Sequence, residues 1–142
     1  MELAVKAALN RVKTRGGIVM ECACISESVD EYCEVIVDKK AVARKTHHCC
    51  ECGCEITPGT EYWKETVRGP DGVEHFKTCM DCMSVRAHLV CDFFYTRIWD
   101  TVADFIDDYP SDMPWAKIGR LTPVARDRIC EMIEQAWERE SE

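Results

Sequence analysis

Two histidines and four cysteines, six possible metal ligands, stand within eight residues in the run "HHCCECGC" from His47 to Cys54. A second pair, Cys79 and Cys82 in "CMDC", follows after a stretch long enough to fold out and back. Two cysteines separated by two residues on a tight turn present both thiolates to one ion, and two such pairs complete the tetrahedron that zinc favours. Cys49 with Cys52 is the preferred pair in the first run, because Gly53 follows the second thiolate where a knuckle needs a tight or left-handed backbone. The registers Cys50 with Cys52, Cys52 with Cys54 and Cys50 with Cys54 stay open. Whatever this chain folds into must bring the two cysteine pairs together.

The rest of the cysteine count points the same way. Eleven cysteines among 142 residues is an odd number. The amino-terminal "MELAVKAALNRVKTRGG" lacks an apolar block followed by a small-residue cleavage site, and no run of about 18 apolar residues occurs. A soluble, cytoplasmic protein without a membrane segment is therefore expected, and thiols in a reducing compartment ligate metal rather than pair as disulfides. Cys33 and Cys130 have no partner at metal-like spacing and are expected as core thiols.

Around the cysteines, "EYWKETVRG" and "GVEHFKTC" read as strands joined at "RGPDGV", whose Pro-Asp-Gly marks a tight turn, so a β-hairpin folds the second pair onto the first. A helix starting near Cys79 would offer its free N–H groups to the thiolates. That arrangement is of the treble-clef type. "YCEVIVD" suits either a strand or the start of a helix. Val85, Leu89, Ile98, Val102, Phe105 and Ile106 recur at spacings of three and four, predicting one bent helix or two consecutive ones. Thr122 stands as an N-cap before Pro123, and Ala125, Ile129, Met132, Ile133 and Ala136 form the stripe of a terminal helix. Residues 1–14 carry Val5, Leu9 and Val12 at helical spacing. The four tryptophans and the cluster "DFFYTRIW" are expected in the core. The fold class is α+β: a treble-clef-like finger with a β-hairpin plus a small helical bundle. Its parts are a basic helix and linker over 1–20, the zinc-binding module over 21–91 and a helical region over 92–142.

Four thiolates close a zinc site, whereas a catalytic zinc keeps an open position and a nearby base. The chain has no HExxH, no histidine followed two residues later by Glu, no glycine-rich phosphate loop, and one asparagine, Asn10, far from the finger. An enzyme is not expected; an HNH-like nuclease using His75 or His88 is the minor alternative. A net charge of −8 disfavours general polyanion binding. Basic residues are nonetheless grouped, and Arg11, Lys13, Arg15, Lys39, Lys40, Arg44 and Lys45 form the phosphate-contacting set of an alternative, nucleic-acid-binding finger. "DTVADFIDDYPSD" forms an acidic run suited to a basic protein partner.

The segments "ARKTHHCCECGCEITPGTEYW" and "KTCMDC", the helix running to Cys91 and the tail "LTPVARDRICEMIEQAW" resemble small, mostly uncharacterised zinc-finger proteins encoded by bacteriophages and prophages, over residues 20–138. The extra Cys50 and Cys54 and the basic helix at residues 1–14 depart from that pattern. The resemblance implies a second zinc site: a Cys-x-Cys element at Cys22 and Cys24, His47 just before the finger, and Cys91 nine residues after it. It also implies a phage-encoded binding protein in the bacterial cytoplasm that acts on a host protein, including a nucleic-acid-binding or defence factor. One zinc follows from the spacing and a second from the resemblance.

Overall fold

The computed structural model describes residues 25–26, 33–70 and 72–141, with backbone alone for 25, 26, 91 and 92. Among these residues seven strands and four helices follow in the order β1 Ile25–Ser26, β2 Glu34–Val42, β3 His47–His48, β4 Glu55–Ile56, β5 Glu61–Gly69, β6 Gly72–Cys79, α1 Met80–His88, β7 Val90–Asp92, α2 Ile98–Asp108, α3 Trp115–Ile118 and α4 Pro123–Glu140. The chain is thus a mixed α+β fold. The helix expected over residues 1–14 lies outside the described residues.

β2, β5 and β6 form an antiparallel sheet in that order. Its second hairpin is the one the turn signal predicts, closed between Gly69 and Gly72, where Gly72 at φ 114° adopts a conformation closed to other residues. The segment "YCEVIVD" resolves as strand, and β2 continues through "DKKAV" to Val42. Strand alternation then gives the sheet two unlike faces. Trp63, Glu65 and Val67 point to one side, where Glu65 and Val67 are fully buried and Glu65 meets Arg86 of α1 and Tyr95 beyond it. Tyr62, Lys64 and Thr66 point to the other.

The segment after Cys82 departs from the helical periodicity read across it. α1 ends at His88, with the Leu89 N–H bonded to the Val85 carbonyl at 2.8 Å, and the chain passes into β7. β7 runs parallel to β1, with Val90 opposite Ile25. Phe93 and Tyr95 then enter the core, Thr96 takes a left-handed φ of 73°, and α2 begins at Ile98. Val85, Leu89, Ile98, Val102 and Ile106 are all buried as expected, but by two helices separated by a strand and a turn. Their shared spacing is accidental across that break.

Ala125, Ile129, Ile133 and Ala136 of α4 complete the core, with Met132 partly buried. Thr122 is the N-cap of α4 and Pro123 opens the helix, yet the threonine hydroxyl makes no capping bond. It donates instead to Asp81 Oδ1 at 2.6 Å, and Ser84 accepts the Thr122 N–H at 3.3 Å, tying α4 to α1. The tryptophans divide. Trp99 is buried and Trp63 half-buried, but Trp115 and Trp137 stand about half exposed at the start of the one-turn α3 and near the end of α4, beyond the reach of the core.

Candidate metal centre

The knuckle is the tip of a short hairpin. β3 pairs with β4, His47 opposite Ile56 and His48 opposite Glu55, and buried Ile56 anchors it. The ladder continues as the Cys49 N–H donates to the Cys54 carbonyl at 2.9 Å, and the Gly53 N–H closes the turn on the Cys49 carbonyl at 2.9 Å. Gly53 takes a φ of 77° there, the conformation that the sequence reading required of it. The Cys50 N–H donates to the Lys77 carbonyl at 2.8 Å and pins the knuckle to β6. At the far end of β6, Cys79 becomes the N-cap of α1 in an extended conformation, and Cys82 lies in the first turn.

These two units bring the Sγ atoms of Cys49, Cys52, Cys79 and Cys82 all within 4.8 Å of one another. Zinc–sulfur bonds of about 2.3 Å in a tetrahedron set sulfur–sulfur edges near 3.8 Å, and Cys52 and Cys79 lie 3.8 Å apart. The donors around the sulfurs suit thiolates. Cys49 Sγ accepts the N–H groups of Glu51 and Cys79, both at 3.3 Å, and Cys79 Sγ accepts that of Cys82 at 3.5 Å. Buried Trp99 donates its indole N–H to Cys82 Sγ at 3.2 Å. The four thiols therefore fit a tetrahedral soft cation such as zinc.

Without a cation, four close sulfurs cannot all carry charge. Hydrogen bonds from Cys79 and Cys82 hold the Cys49 thiol well below its ordinary value, while the same bonds push Cys79 and Cys82 up. A divalent ion bound among these sulfurs would displace the thiol protons. Cys50 and Cys54 lie outside the cluster. Burial raises the Cys50 thiol to about 12, where it meets Thr78 Oγ1 at 3.4 Å, and loss of hydration raises Cys54 to about 11. Cys33 is buried, its thiol raised by burial to about 12, and Cys130 is half-buried against the core.

A second group beside the sulfurs escaped the sequence reading. Glu51, inside the knuckle, accepts from Arg86 Nη2 at 2.7 Å and from the backbone N–H groups of Thr96 at 3.0 Å and Ile98 at 3.1 Å, so its carboxylate caps α2. Arg86 Nη1 donates to Glu65 at 2.5 Å, and the Tyr95 hydroxyl donates to the other Glu65 oxygen at 2.8 Å. The three charged side chains are fully buried. Burial works against the charge on Arg86, but Glu65 and Glu51 more than offset it and hold its pKa above the ordinary value. The guanidinium also lies over the Phe93 ring at 4.5 Å and the Tyr95 ring at 5.2 Å. This network fastens the knuckle to the sheet, to α1 and to the start of α2.

Of the second set implied by the resemblance, Cys22 and Cys24 lie outside the described residues, as does the Cys91 side chain. His47 sits on β3 with its ring 5.5 Å from that of Tyr62. Loss of hydration, then Lys77, Lys45 and Lys64, lower its pKa. Arg11, Lys13 and Arg15 are also outside the described residues, whereas Lys39, Lys40, Arg44 and Lys45 line one open cleft of about 1210 Å³. Neither His75, bonded to Thr66 at 3.0 Å, nor exposed His88 belongs to the sulfur cluster. Among the described residues no helix is long and apolar enough to cross a membrane. No protein-family model, curated protein or solved structure matches the chain.

Proposed function

We propose that the protein is a non-catalytic binding module whose fold is locked by one structural zinc, held by Cys49, Cys52, Cys79 and Cys82 in a treble-clef-like arrangement. The observation that supports this reading is the convergence of four sulfurs from a knuckle and a helix start, a set that would complete the tetrahedron of a structural zinc. Bound there, zinc contributes cross-linking free energy. The fold's own part is to present N–H donors to the sulfurs and to exclude solvent with Trp99 and the α1 turn.

The partner we propose is a basic protein, met by the helical surface. Tyr109, Trp115 and Trp137 are exposed, with the two indoles 6.3 Å apart and Trp137 fixed by its N–H bond to the Pro110 carbonyl at 3.2 Å. Asp107, Asp108 and Asp112 lie in the same stretch of chain. Asp107 is paired with Arg139 at 2.8 Å, which leaves Asp108 and Asp112 for a basic partner, and half-exposed aromatic side chains are the usual anchors of a protein interface. That the partner is a host protein rests on the bacteriophage resemblance alone.

Metal analysis of the purified chain should find one zinc, released with loss of folded signal by a strong chelator. Two zincs would add Cys22, Cys24, His47 and Cys91. A bound protein recovered by the parent chain and lost by Trp115→Ala with Trp137→Ala supports the interface; a metal-free folded chain ends the structural-zinc reading.

A further inference from the structure

The open face of the sheet carries a row of like charge. Lys39 lies directly opposite Lys64, and Lys64 directly opposite Lys77. With strands about 4.7–4.9 Å apart, three ammonium groups stand in a line about 10 Å long. Like charges directly opposite one another destabilise a sheet. Elsewhere on these strands the exposed cations are paired, Lys40 with Glu61 at 3.7 Å and Arg68 with Glu34 at 3.0 Å. Among the described residues no carboxylate pairs with Lys39, Lys64 or Lys77, and none lines the cleft they share with Arg44 and Lys45. A chain of net charge −8 thus gathers six cations around one cleft, and among the described residues only Lys40 of the six is ion-paired, with Glu61.

We propose that this cleft is a binding site for the phosphodiester backbone of single-stranded nucleic acid, separate from the acidic helical surface and independent of the partner proposed there. Its volume of about 1210 Å³ exceeds the roughly 300–1,000 Å³ of small-molecule pockets, which suits a stretch of polymer. The face lacks an exposed aromatic anchor for a protein interface, because Tyr62 is buried and Phe76 turns to the covered face, opposite Glu65 and stacked on Tyr95. For the same reason it lacks a stacking platform for bases. Ammonium groups, the Thr66 and His75 pair and the His47 ring remain, a set that reads phosphate and not sequence. The concave face is three strands wide, which admits one strand more readily than the rod of a duplex.

Fluorescence anisotropy of the zinc-loaded full chain with labelled oligouridylate and oligothymidylate of about 12 nucleotides tests this. Both single strands should bind, with log K falling against log salt at a slope of about −0.7 per phosphate contact, so roughly −2 to −3.5 for three to five contacts. Lys64→Glu with Lys77→Glu should weaken binding at least tenfold on the charge argument, while exposed Arg120→Glu, outside the cleft, should change it less than about twofold. Zinc content and circular dichroism establish that each variant is folded. No binding at low salt, equal losses from the double variant and Arg120→Glu, or tighter binding of the matching duplex would each overturn the proposal.

Discussion

The two faces of the β2–β5–β6 sheet hold charge in opposite ways. On the covered face Arg86 is fully buried between Glu51 and Glu65, and nearly every polar atom is satisfied, with Arg86 Nε the one without a partner among the described residues. On the open face Lys39, Lys64 and Lys77 stand opposite one another with no acid paired to them among the described residues. A buried charge without a partner costs several kcal/mol, so the first face must be complete to exist at all. Water screens the second, and its repulsion is small enough to persist where a ligand uses it. One face is built for folding and the other is left available.

The largest effect should come from the joint between the faces. Cys79 ends β6 and begins α1, so its sulfur ties the sheet to the helix that covers it. A structural zinc binds with about 10–16 kcal/mol of apparent free energy, as large as the net stability of a domain, about 5–15 kcal/mol. Cys79→Ala should therefore give an unfolded chain without metal. Exposed Cys54→Ala should stay within about 0.5 kcal/mol of the parent, measured by urea denaturation with zinc present. Equal outcomes would mean that the ion uses another register.

Next in size is the covered face itself. Arg86→Met leaves two buried carboxylates facing each other and should cost about 3–5 kcal/mol, seen as a fall in thermal midpoint of roughly 10 °C. Adding Glu51→Gln and Glu65→Gln should recover part of that loss, because amides need no counter-charge. If Arg86→Met alone costs less than about 1 kcal/mol, the covered face is not held by charge, since surface pairs are worth that little.

What the sequence disclosed follows the range of each interaction. The cysteine pairs, Gly53 and the Thr122–Pro123 helix start are local patterns, set within a few residues, and all were legible. Glu51, Arg86, Glu65 and Tyr95 were not, because their meeting depends on how the knuckle, β5 and α1 pack, and no spacing along the chain announces it. A hint existed in an acid placed between Cys50 and Cys52, inside a turn that must pack tightly. The same reason hid the lysine row. Lys39 stands in the basic run "KKAVARK", whereas nothing along the chain groups Lys64 and Lys77 with it; only the strand register sets the three side by side. Periodicity failed differently between His88 and Ile98, where apolar residues serving two helices and a strand fell by chance on one helical phase.

The smallest effect is the sharpest test of the comparison, because it has a sign that a purely structural lysine would not give. Lys64 is the middle of the row, so Lys64→Glu replaces two repulsions by two attractions. Cross-strand charge pairs are worth about 0.2–1 kcal/mol each, and the variant should be more stable than the parent by roughly 0.5–1 kcal/mol at low salt. The gain should shrink toward zero near 0.5 M salt, where the screening length is only about 4 Å. Lys64 is half-buried, so its aliphatic stem also packs, and Lys64→Met serves as the control that keeps the stem and removes the charge. Stability should rise in the order Lys64, Met, Glu as nucleic-acid affinity falls in the same order. A residue selected for folding alone would show no such opposition. A loss of stability in both variants would place Lys64 among the packing residues of the sheet and remove the contrast between its faces.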